Sequence, residues 1–249
     1  MALETADLSV HFGGLRAVDC VSLRLPRGAR HALIGPNGAG KTTVLNLLSG
    51  VLQPSEGRIR LDGEDITRLP SHRRVTRGLV RTFQINQLFA ELTPLESIGL
   101  AVSERTGGGA DWWRTAGSEA DIDLTIAEII ERFHLADVMH ERTAHLPYGK
   151  QRLLEIALAI ACRPRVLLLD EPAAGVPEDE RHEILAAVGA LPADVTVLLI
   201  EHDMDLVFSY AQRISVLVNG ALFAEGTPDE VARDPRVKAV YLGAESAVG

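Results

Sequence analysis

The sequence predicts an α/β fold built on a parallel β-sheet, and three features support this prediction. Two continuous apolar runs, Val166–Leu169 and Val195–Ile200, suit strands that are buried on both faces of a parallel sheet. Stretches of helical character, near residues 178–190 and 203–212, alternate with these strands. A glycine-rich loop at residues 35–42 connects a further strand pattern to a helix pattern. Together these features favour alternating strands and helices around one sheet.

The glycine-rich loop fits the pattern G-x-x-x-x-G-K-[ST] from Gly35 to Thr42. Its glycines let the backbone turn tightly, so that N–H groups and the positive end of the following helix can face a polyphosphate. Lys41 can reach the β- and γ-phosphates, and the Thr42 hydroxyl can ligate Mg²⁺. The sequence therefore predicts a nucleotide site made of Gly35, Pro36, Asn37, Gly38, Ala39, Gly40, Lys41, Thr42 and Thr43.

Local patterns on both sides of the loop predict the elements that hold it. His31–Ile34 has the pattern of a buried strand, and Val44–Leu48 that of a helix ending at Gly50. Apolar and polar residues alternate in three further segments, Leu8–Phe12, Val21–Leu25 and Arg58–Leu61. The last of these runs into Asp62-Gly63, a hairpin-type turn. We expect a small antiparallel sheet beside the loop.

The middle of the chain has helical rather than strand patterns. Asp123 can cap a helix whose apolar face carries Ile126, Ile129, Ile130 and Phe133. A second helix is predicted over Gln151–Ala161, ended by Pro164. The adjacent Trp112-Trp113 follows a glycine-rich stretch. We expect these tryptophans to be packing or surface residues of a loop, with a recognition role as the alternative.

The 249 residues are predicted to form one domain in two parts. Residues 1–85 and 163–249 form the nucleotide-binding α/β core with its antiparallel β subdomain, and residues 86–162 form an inserted α-helical subdomain. The net charge of −9 disfavours nucleic acid as a partner. No early segment has a signal-peptide pattern and no apolar run approaches the ~18 residues that span a bilayer, so we expect a cytoplasmic protein. Cys20 and Cys162 are expected to be buried free thiols.

Acidic and basic side chains follow both of the long apolar strands. Asp170 and Glu171 come at the end of Val166–Leu169, where the carboxyl ends of parallel strands face the ligand crevice. Asp170 can hold Mg²⁺ through water, and Glu171 can polarise an attacking water. His202 follows the next strand and is predicted to reach the same crevice, where it can bond a γ-phosphate. The alternatives are helix capping for the two carboxylates and a solvent-facing loop position for His202.

In this order and spacing, the motifs resemble those of the ATPase subunits of ABC transporters over essentially the whole chain. Gly35–Thr42 is similar to the first Walker motif of that family and Val166–Glu171 to the second. The resemblance implies a P-loop NTPase fold with a RecA-like core, and it implies ATP and Mg²⁺ as ligands. It assigns catalytic roles to Glu171, His202 and Gln84, adenine stacking to Phe12, and Mg²⁺ binding, partly through water, to Thr42, Gln84 and Asp170.

The family signature, usually Leu-Ser-Gly-Gly-Gln, is altered here. The resemblance places it at Pro147, Tyr148, Gly149, Lys150 and Gln151, where it acts on ATP bound to another subunit. Pro147 replaces a serine, Tyr148 a glycine and Lys150 a glutamine. Gly149 and the start of a helix remain, so that backbone N–H groups can still face an anion. The loop Ala173–Val176 lacks the family's usual aspartate.

These departures resemble the ATPases of branched-chain amino acid importers, as does the ending Asp234–Gly243. Arg81–Gln84 is similar to the G-type subunit of such importers. The resemblance implies a head-to-tail dimer with a second ABC ATPase subunit, either a paralogous sister or a second copy. It also implies transmembrane permease subunits, an external solute-binding protein acting indirectly, and a place at the cytoplasmic face of the membrane.

Three other functions fit part of the pattern. An exporter of lipid or glycolipid uses ATPases that share much of it. A soluble ABC protein of translation or DNA repair usually carries two cassettes or a long coiled-coil insertion, and this sequence has neither. A P-loop kinase outside the ABC family leaves Gln84, the signature helix and His202 unexplained.

Overall fold

A computed structural model describes residues 1–82, 88–105 and 119–245. The strands are β1 Leu3–Phe12, β2 Leu15–Val21, β3 Arg24–Leu25, β4 Arg30–Ile34, β5 Glu56–Leu61, β6 Glu64–Asp65, β7 Leu79–Arg81, β8 Val166–Asp170, β9 Thr196–Ile200, β10 Arg213–Val218 and β11 Ala221–Gly226. The helices are α1 Lys41–Ser49, α2 Ser71–Val75, α3 Pro94–Arg105, α4 Glu119–Arg132, α5 Tyr148–Ala161, α6 Glu178–Gly189, α7 Met204–Tyr210, α8 Pro228–Arg233 and α9 Pro235–Glu245. A 3₁₀ turn covers Thr143–His145.

The predicted parallel sheet is confirmed. Its strands run in the order β11-β10-β4-β9-β8-β7, and every neighbouring pair is parallel except the β10–β11 hairpin. All residues of β8 and β9 are buried, as their continuous apolar sequences require. Because these strands are parallel, the loop after β4, the acidic pair at the end of β8 and the histidine after β9 lie at the same edge of the sheet.

The expected antiparallel sheet is also present, in the order β2-β1-β5-β6 with β3 paired to β1. Asp62 and Gly63 both have positive φ, at 49° and 85°, and form the hairpin turn between β5 and β6. The prediction of a buried thiol is wrong for Cys20, which is exposed. The β1–β2 register shifts between Leu8 and Val10, and Cys20 has a φ of 51°. This bulge turns the thiol outward.

By residue contacts the chain divides into two compact units. Unit 1 comprises Met1–Arg81, Arg165–Glu171 and Pro192–Gly249, and unit 2 comprises Thr82–Pro164 and Pro172–Leu191. Both sheets belong to unit 1, where α1 packs against β7 and β8. In unit 2, α3, α4 and α5 pack together, and α6 packs on α5.

The helices of unit 2 begin earlier than their sequence patterns predict. Asp123 lies inside α4 rather than at its cap, because the helix already includes Glu119 and Ala120, which favour helix. The expected apolar face is buried as predicted, with Phe133 fully inaccessible. Helix α5 starts at Tyr148, one turn before Gln151, and ends at Ala161 as expected.

A buried arginine fixes the end of α1 that lies away from the glycine-rich loop. Arg74 is fully buried, and its guanidinium donates to the carbonyl oxygens of Leu47, Leu48, Thr67 and Leu69 at 2.7 to 2.9 Å. Burial lowers the pKa of Arg74 to about 10. Its charge faces the carbonyl end of the helix, where a cation is stabilising.

Just before the loop, β4 contains a buried histidine. His31 is 1% exposed, and its Nε2 lies 2.8 Å from Ser215 Oγ, which in turn donates to Glu225 Oε2 at 3.2 Å. Its Nδ1 has no hydrogen-bond partner among the described residues. Burial lowers the pKa of His31; Glu225 opposes this effect and Arg213 adds to it. The neutral ring is therefore the form that the fold accommodates.

We expect His31 to make stability depend on pH. The pKa of His31 in the folded protein lies below the ordinary value of 6.5. The contribution of the neutral ring to the free energy of unfolding is therefore complete above pH 6.5, and it is lost as the pH falls from 6.5 toward the folded pKa. The loss is at most about 1.4 kcal/mol per pH unit. Thermal and urea unfolding between pH 8 and 5 measures it. His31→Gln removes the titrating group and should show a shallower decline, whereas equal slopes would contradict this assignment.

Candidate nucleotide-binding site

Backbone contacts hold the glycine-rich loop in place. The Gly220 N–H donates to Ala39 O at 2.9 Å, which ties the loop to the turn between β10 and β11. Gly40 has a φ of 101°, and a Cβ added there would lie 2.7 Å from Ala17 O. Only glycine fits this position, because a side chain would meet backbone on the adjoining strand β2.

Lys41, the first residue of α1, turns back over the loop. Its Nζ donates to Gly35 O at 2.7 Å and to Pro36 O at 3.1 Å, and the residue is 6% exposed. Burial lowers the pKa of Lys41, while the carboxylates of Glu171 and Asp170 act in the opposite direction. The ammonium group therefore lies at the loop, within the electrostatic influence of both carboxylates.

A cleft of about 720 Å³ lies over the loop, and most of the predicted nucleotide-site residues of unit 1 line it. Its lining consists of Phe12, Leu15, Arg16, Ala17, Asn37, Gly38, Ala39, Gly40, Lys41, Thr42, Thr43, Glu171, His202, Asn219 and Gly220. Phe12 is 50% exposed and offers an apolar face for stacking a base. Gly35 and Pro36 do not line the cleft but accept from Lys41, as described above.

Glu171 and His202 form a pair at this cleft. His202 Nε2 lies 2.9 Å from Glu171 Oε1. An N–H at Nε2 can donate to this carboxylate oxygen, which accepts. The Glu171 backbone has a φ of 49°, and its N–H donates to Ile200 O at 2.9 Å, which continues the β8–β9 pairing for one residue. Strain of this kind persists where surrounding contacts fix it, and it clusters at functional sites.

Asp170 is placed differently, because it is buried and is not among the residues that line the cleft. It is 1% exposed, and its Oδ2 accepts from Arg81 Nη2 at 2.7 Å. Its other oxygen, Oδ1, is buried and has no hydrogen-bond partner among the described residues. Such an oxygen suits a cation or its bound water. Asp170 and the cleft-lining Thr42 hydroxyl are hard oxygen donors of the kind that Mg²⁺ prefers, so the residues present fit this ion.

Some predicted positions lie outside the described residues. These are Gln84 and Trp112-Trp113. The described part of the chain also has no group of three or more His, Cys, Asp or Glu side chains that could hold a metal alone.

The signature residues stand at the start of α5 in unit 2. Pro147 is the N-cap residue and makes no side-chain cap bond. The Tyr148 hydroxyl accepts from Arg152 Nη2 at 2.6 Å and donates to Ala174 O at 3.3 Å. Arg152 also pairs with Glu155 at 2.7 Å. The tyrosine that replaces a glycine thus connects the signature helix to the loop after the second Walker motif.

The next two signature residues are engaged within unit 2. The Gly149 N–H donates to Glu180 Oε2 at 3.0 Å. Lys150 Nζ donates to His134 O at 2.6 Å and pairs with Asp137 at 3.2 Å. A carboxylate therefore already occupies an N–H group of the helix start, and the lysine charge is partly neutralised. The side chain of Gln151, the last signature residue, donates to Leu146 O at 2.9 Å.

Sequence reasoning missed five cleft residues. These are Leu15, Arg16, Ala17, Asn219 and Gly220. An Asn-Gly pair between two apolar runs is a strong hairpin signal, so the last two were accessible from the sequence. Asn219 and Gly220 indeed have φ values of 48° and 80°. The first three gave no signal of their own, because only the pairing of β1 with β2 brings them to the loop.

We expect Gly40→Ala to weaken ATP binding by roughly tenfold or more, since left-handed strain costs about 1–3 kcal/mol and the new Cβ also meets Ala17 O. Equilibrium titration with a fluorescent ATP analogue measures this. Gly63→Ala is the matched control, because its φ of 85° is also positive but nothing lies within 4 Å of the new Cβ. Equal affinities for the two variants would contradict the role of close packing.

Comparison with known proteins agrees with this geometry. The sequence pattern of the ABC transporter family matches residues 18–174, and that of the branched-chain amino acid ATP-binding cassette transporters matches residues 221–247. The high-affinity branched-chain amino acid transport ATP-binding protein BraF of Pseudomonas aeruginosa is 43% identical over 248 residues, covering 97% of each chain. LivG of Escherichia coli K12, of the same description, is 40% identical over 250 residues, again covering 97% of each.

Solved structures show the same relationship. The ADP conformation of an ATP-binding cassette from an ABC transporter superposes with a TM-score of 0.83 at 32% identity, covering 97% of this chain and 98% of the other. A nucleotide-free cassette gives a TM-score of 0.82 at 31% identity, covering 96% and 98%. The predicted P-loop NTPase fold is thereby confirmed. The chain belongs to the ABC transporter ATPases, with the C-terminal segment of the branched-chain amino acid type.

Proposed function

We propose that this chain hydrolyses ATP to drive uptake of branched-chain amino acids or a related small amino-acid, carboxylate or amide solute. The observation that carries the catalytic part is the pairing of Glu171 with His202 at 2.9 Å, on the cleft that also contains the glycine-rich loop. The solute class is supported by the names of the relatives and by the match of the C-terminal segment.

The residues of the cleft have different roles in binding and hydrolysing ATP. Phe12 stacks on adenine, and the loop N–H groups with Lys41 bind the phosphates. Glu171 accepts a proton from the attacking water while the water oxygen bonds to the γ-phosphorus and the bond to the β–γ bridging oxygen breaks. His202 orients the Glu171 carboxylate and contacts the γ-phosphate.

Thr42, Asp170 and Gln84 would hold Mg²⁺, Asp170 through water. When bound, the ion neutralises charge on the β- and γ-phosphates. The fit rests on the Asp170 Oδ1 atom, which is buried and has no hydrogen-bond partner in the part of the chain that the structure describes. Gln84 is included on the sequence motif alone.

The signature residues of one subunit act on ATP bound to another in a head-to-tail dimer. Pro147, Tyr148, Gly149, Lys150 and Gln151 supply the start of α5 for this purpose. An arriving phosphate must displace the Glu180 carboxylate from the Gly149 N–H. Hydrolysis then removes contacts that favour the closed dimer, and the subunits separate. The second subunit is a sister ATPase or another copy of this chain.

Permease subunits recruit the chain to the cytoplasmic face of the membrane, and an external binding protein delivers the solute to them. Within the described ranges, every helix is too short or too polar to cross a bilayer. The charge of −9 opposes a nucleic-acid partner. The relatives whose names specify amino acid transport support the importer assignment.

Replacing the base while keeping its shape tests the catalytic assignment. We expect Glu171→Gln to reduce ATP turnover by roughly 100-fold or more, because general base catalysis contributes about 10²- to 10⁴-fold. ATP binding should remain within about twofold, since Glu171 adds no phosphate contact. Phosphate release and equilibrium binding, measured on the same preparation, separate the two effects. Steady hydrolysis at the wild-type rate would remove Glu171 from the role of base.

Isolation of the native complex tests the transport assignment. We expect that mild detergent extraction through a tag on this chain recovers two multi-span permeases and a second ABC ATPase, identified by mass spectrometry. A tagged soluble enzyme prepared in parallel controls for nonspecific recovery. Recovery of ribosomes, DNA or only soluble partners would contradict the importer function and leave ATP binding intact.

A further inference from the structure

A buried ion pair joins the Asp170 carboxylate to the strand at the sheet edge. Arg81 Nη2 donates to Asp170 Oδ2 at 2.7 Å, and the two side chains are 7% and 1% exposed. Arg81 is the last residue of β7, which lies beside β8 in the parallel sheet. The pair is therefore set by the sheet itself rather than by a loop.

The same guanidinium also reaches α1. Arg81 Nη1 donates to Asn46 Oδ1 at 2.7 Å and to Ser49 Oγ at 3.4 Å. Helix α1 begins with Lys41 and Thr42, the residues that face the phosphates. The guanidinium of Arg81 thus connects the carboxylate of Asp170, at the end of β8, to the helix that carries the phosphate-binding residues. Arginine can make such a bridge because its donors have fixed relative directions.

We propose that Arg81 is a positioning residue for Mg²⁺-bound ATP. It holds Asp170 by Oδ2 and fixes it relative to α1, so that Oδ1 is the oxygen left for the ion and its water. The inference rests on the proposed role of Asp170 and Thr42 toward Mg²⁺. Outer residues that orient ligands of a metal commonly change metal affinity by about 10- to 100-fold when they are mutated.

Arg81 has two opposing effects, and they predict opposite results. As a cation it neutralises Asp170 and repels Mg²⁺, so its removal would favour the ion. As a support it holds the carboxylate in one orientation, so its removal would disfavour the ion. The position of Arg81 favours support, because the guanidinium lies on Oδ2 and leaves Oδ1 without a protein partner in the described ranges. The chain would therefore lose Mg²⁺ affinity without Arg81.

The test is the Mg²⁺ concentration needed for half-maximal binding of a fluorescent ATP analogue to the full chain. We expect Arg81→Met to raise it by roughly 10- to 100-fold, while analogue binding in EDTA stays within about twofold. Arg81→Lys keeps the positive charge but lacks the planar guanidinium, so it should also need more Mg²⁺ than the wild type for half-maximal binding. Arg213→Met is the matched control, because it removes a 2.8 Å ion pair with Glu225 on β11. It should leave the Mg²⁺ requirement unchanged.

A lower or unchanged Mg²⁺ requirement for Arg81→Met would overturn the proposal, and so would wild-type behaviour of Arg81→Lys. If Arg81→Met fails to fold, Asn46→Ala takes its place, since it keeps the ion pair and removes the shorter of the two hydrogen bonds from Arg81 to α1. A raised requirement in Asn46→Ala supports the proposal, and an unchanged one overturns it. If binding of the analogue to the wild type does not depend on Mg²⁺, the proposed role of Asp170 and Thr42 toward the metal is itself refuted.

Discussion

The site depends on the close approach of two backbone segments to the glycine-rich loop. The turn after β10 binds the loop through the Gly220 N–H and Ala39 O at 2.9 Å. From the other side, Ala17 O lies where a side chain on Gly40 would have to be. The loop N–H groups are thereby held ready for an anion before any anion arrives, which avoids an ordering cost on binding. A wider separation of these segments would leave the loop without a fixed shape.

The parallel sheet then determines which side chains reach the loop. Asp170 pairs in register with Ile200, so the residues that follow β8 and β9 come out side by side. Glu171 and His202 meet for this reason, although 31 positions separate them in the chain. Asp170, the last residue of β8, is buried, and Glu171, which follows the strand with a φ of 49°, lines the cleft.

Charge is arranged around this edge with few exposed groups. Lys41, Arg81 and Asp170 are all nearly inaccessible, and each makes at least one hydrogen bond within the protein, although Asp170 Oδ1 has no hydrogen-bond partner among the described residues. Buried charges need such partners, because desolvation is otherwise costly. The signature helix in unit 2 follows the same rule, with Glu180 on the Gly149 N–H. At the Gly149 N–H, a substrate phosphate would replace an internal partner.

The sequence predicts those elements whose signals lie within a short stretch of neighbouring residues. The apolar runs of β8 and β9, the loop and the Asp62-Gly63 turn were all identified in this way. The start of α4 was misplaced, because a capping residue is a weak signal beside good helix formers upstream. Cys20 was misassigned because a bulge, set by cross-strand pairing, inverts its direction. The sequence identifies Arg81 only as part of a motif. It does not predict the contacts of Arg81 with Asn46 and Asp170, because these residues lie 35 and 89 positions away in the chain.

The most direct test of this account is the affinity of the purified chain for ATP with and without the Lys41 side chain. Lys41 both closes the loop, through Gly35 O and Pro36 O, and supplies the cation at the phosphates. Calorimetric titration of the wild type and of Lys41→Ala measures the difference in ATP affinity. Each protein is titrated at the same number of degrees below its own melting temperature. We expect the wild type to bind ATP and the variant to bind it roughly tenfold or more weakly, because a charged hydrogen bond contributes about 1.5–3 kcal/mol. Equal affinities would show that ATP binds elsewhere and would contradict the site.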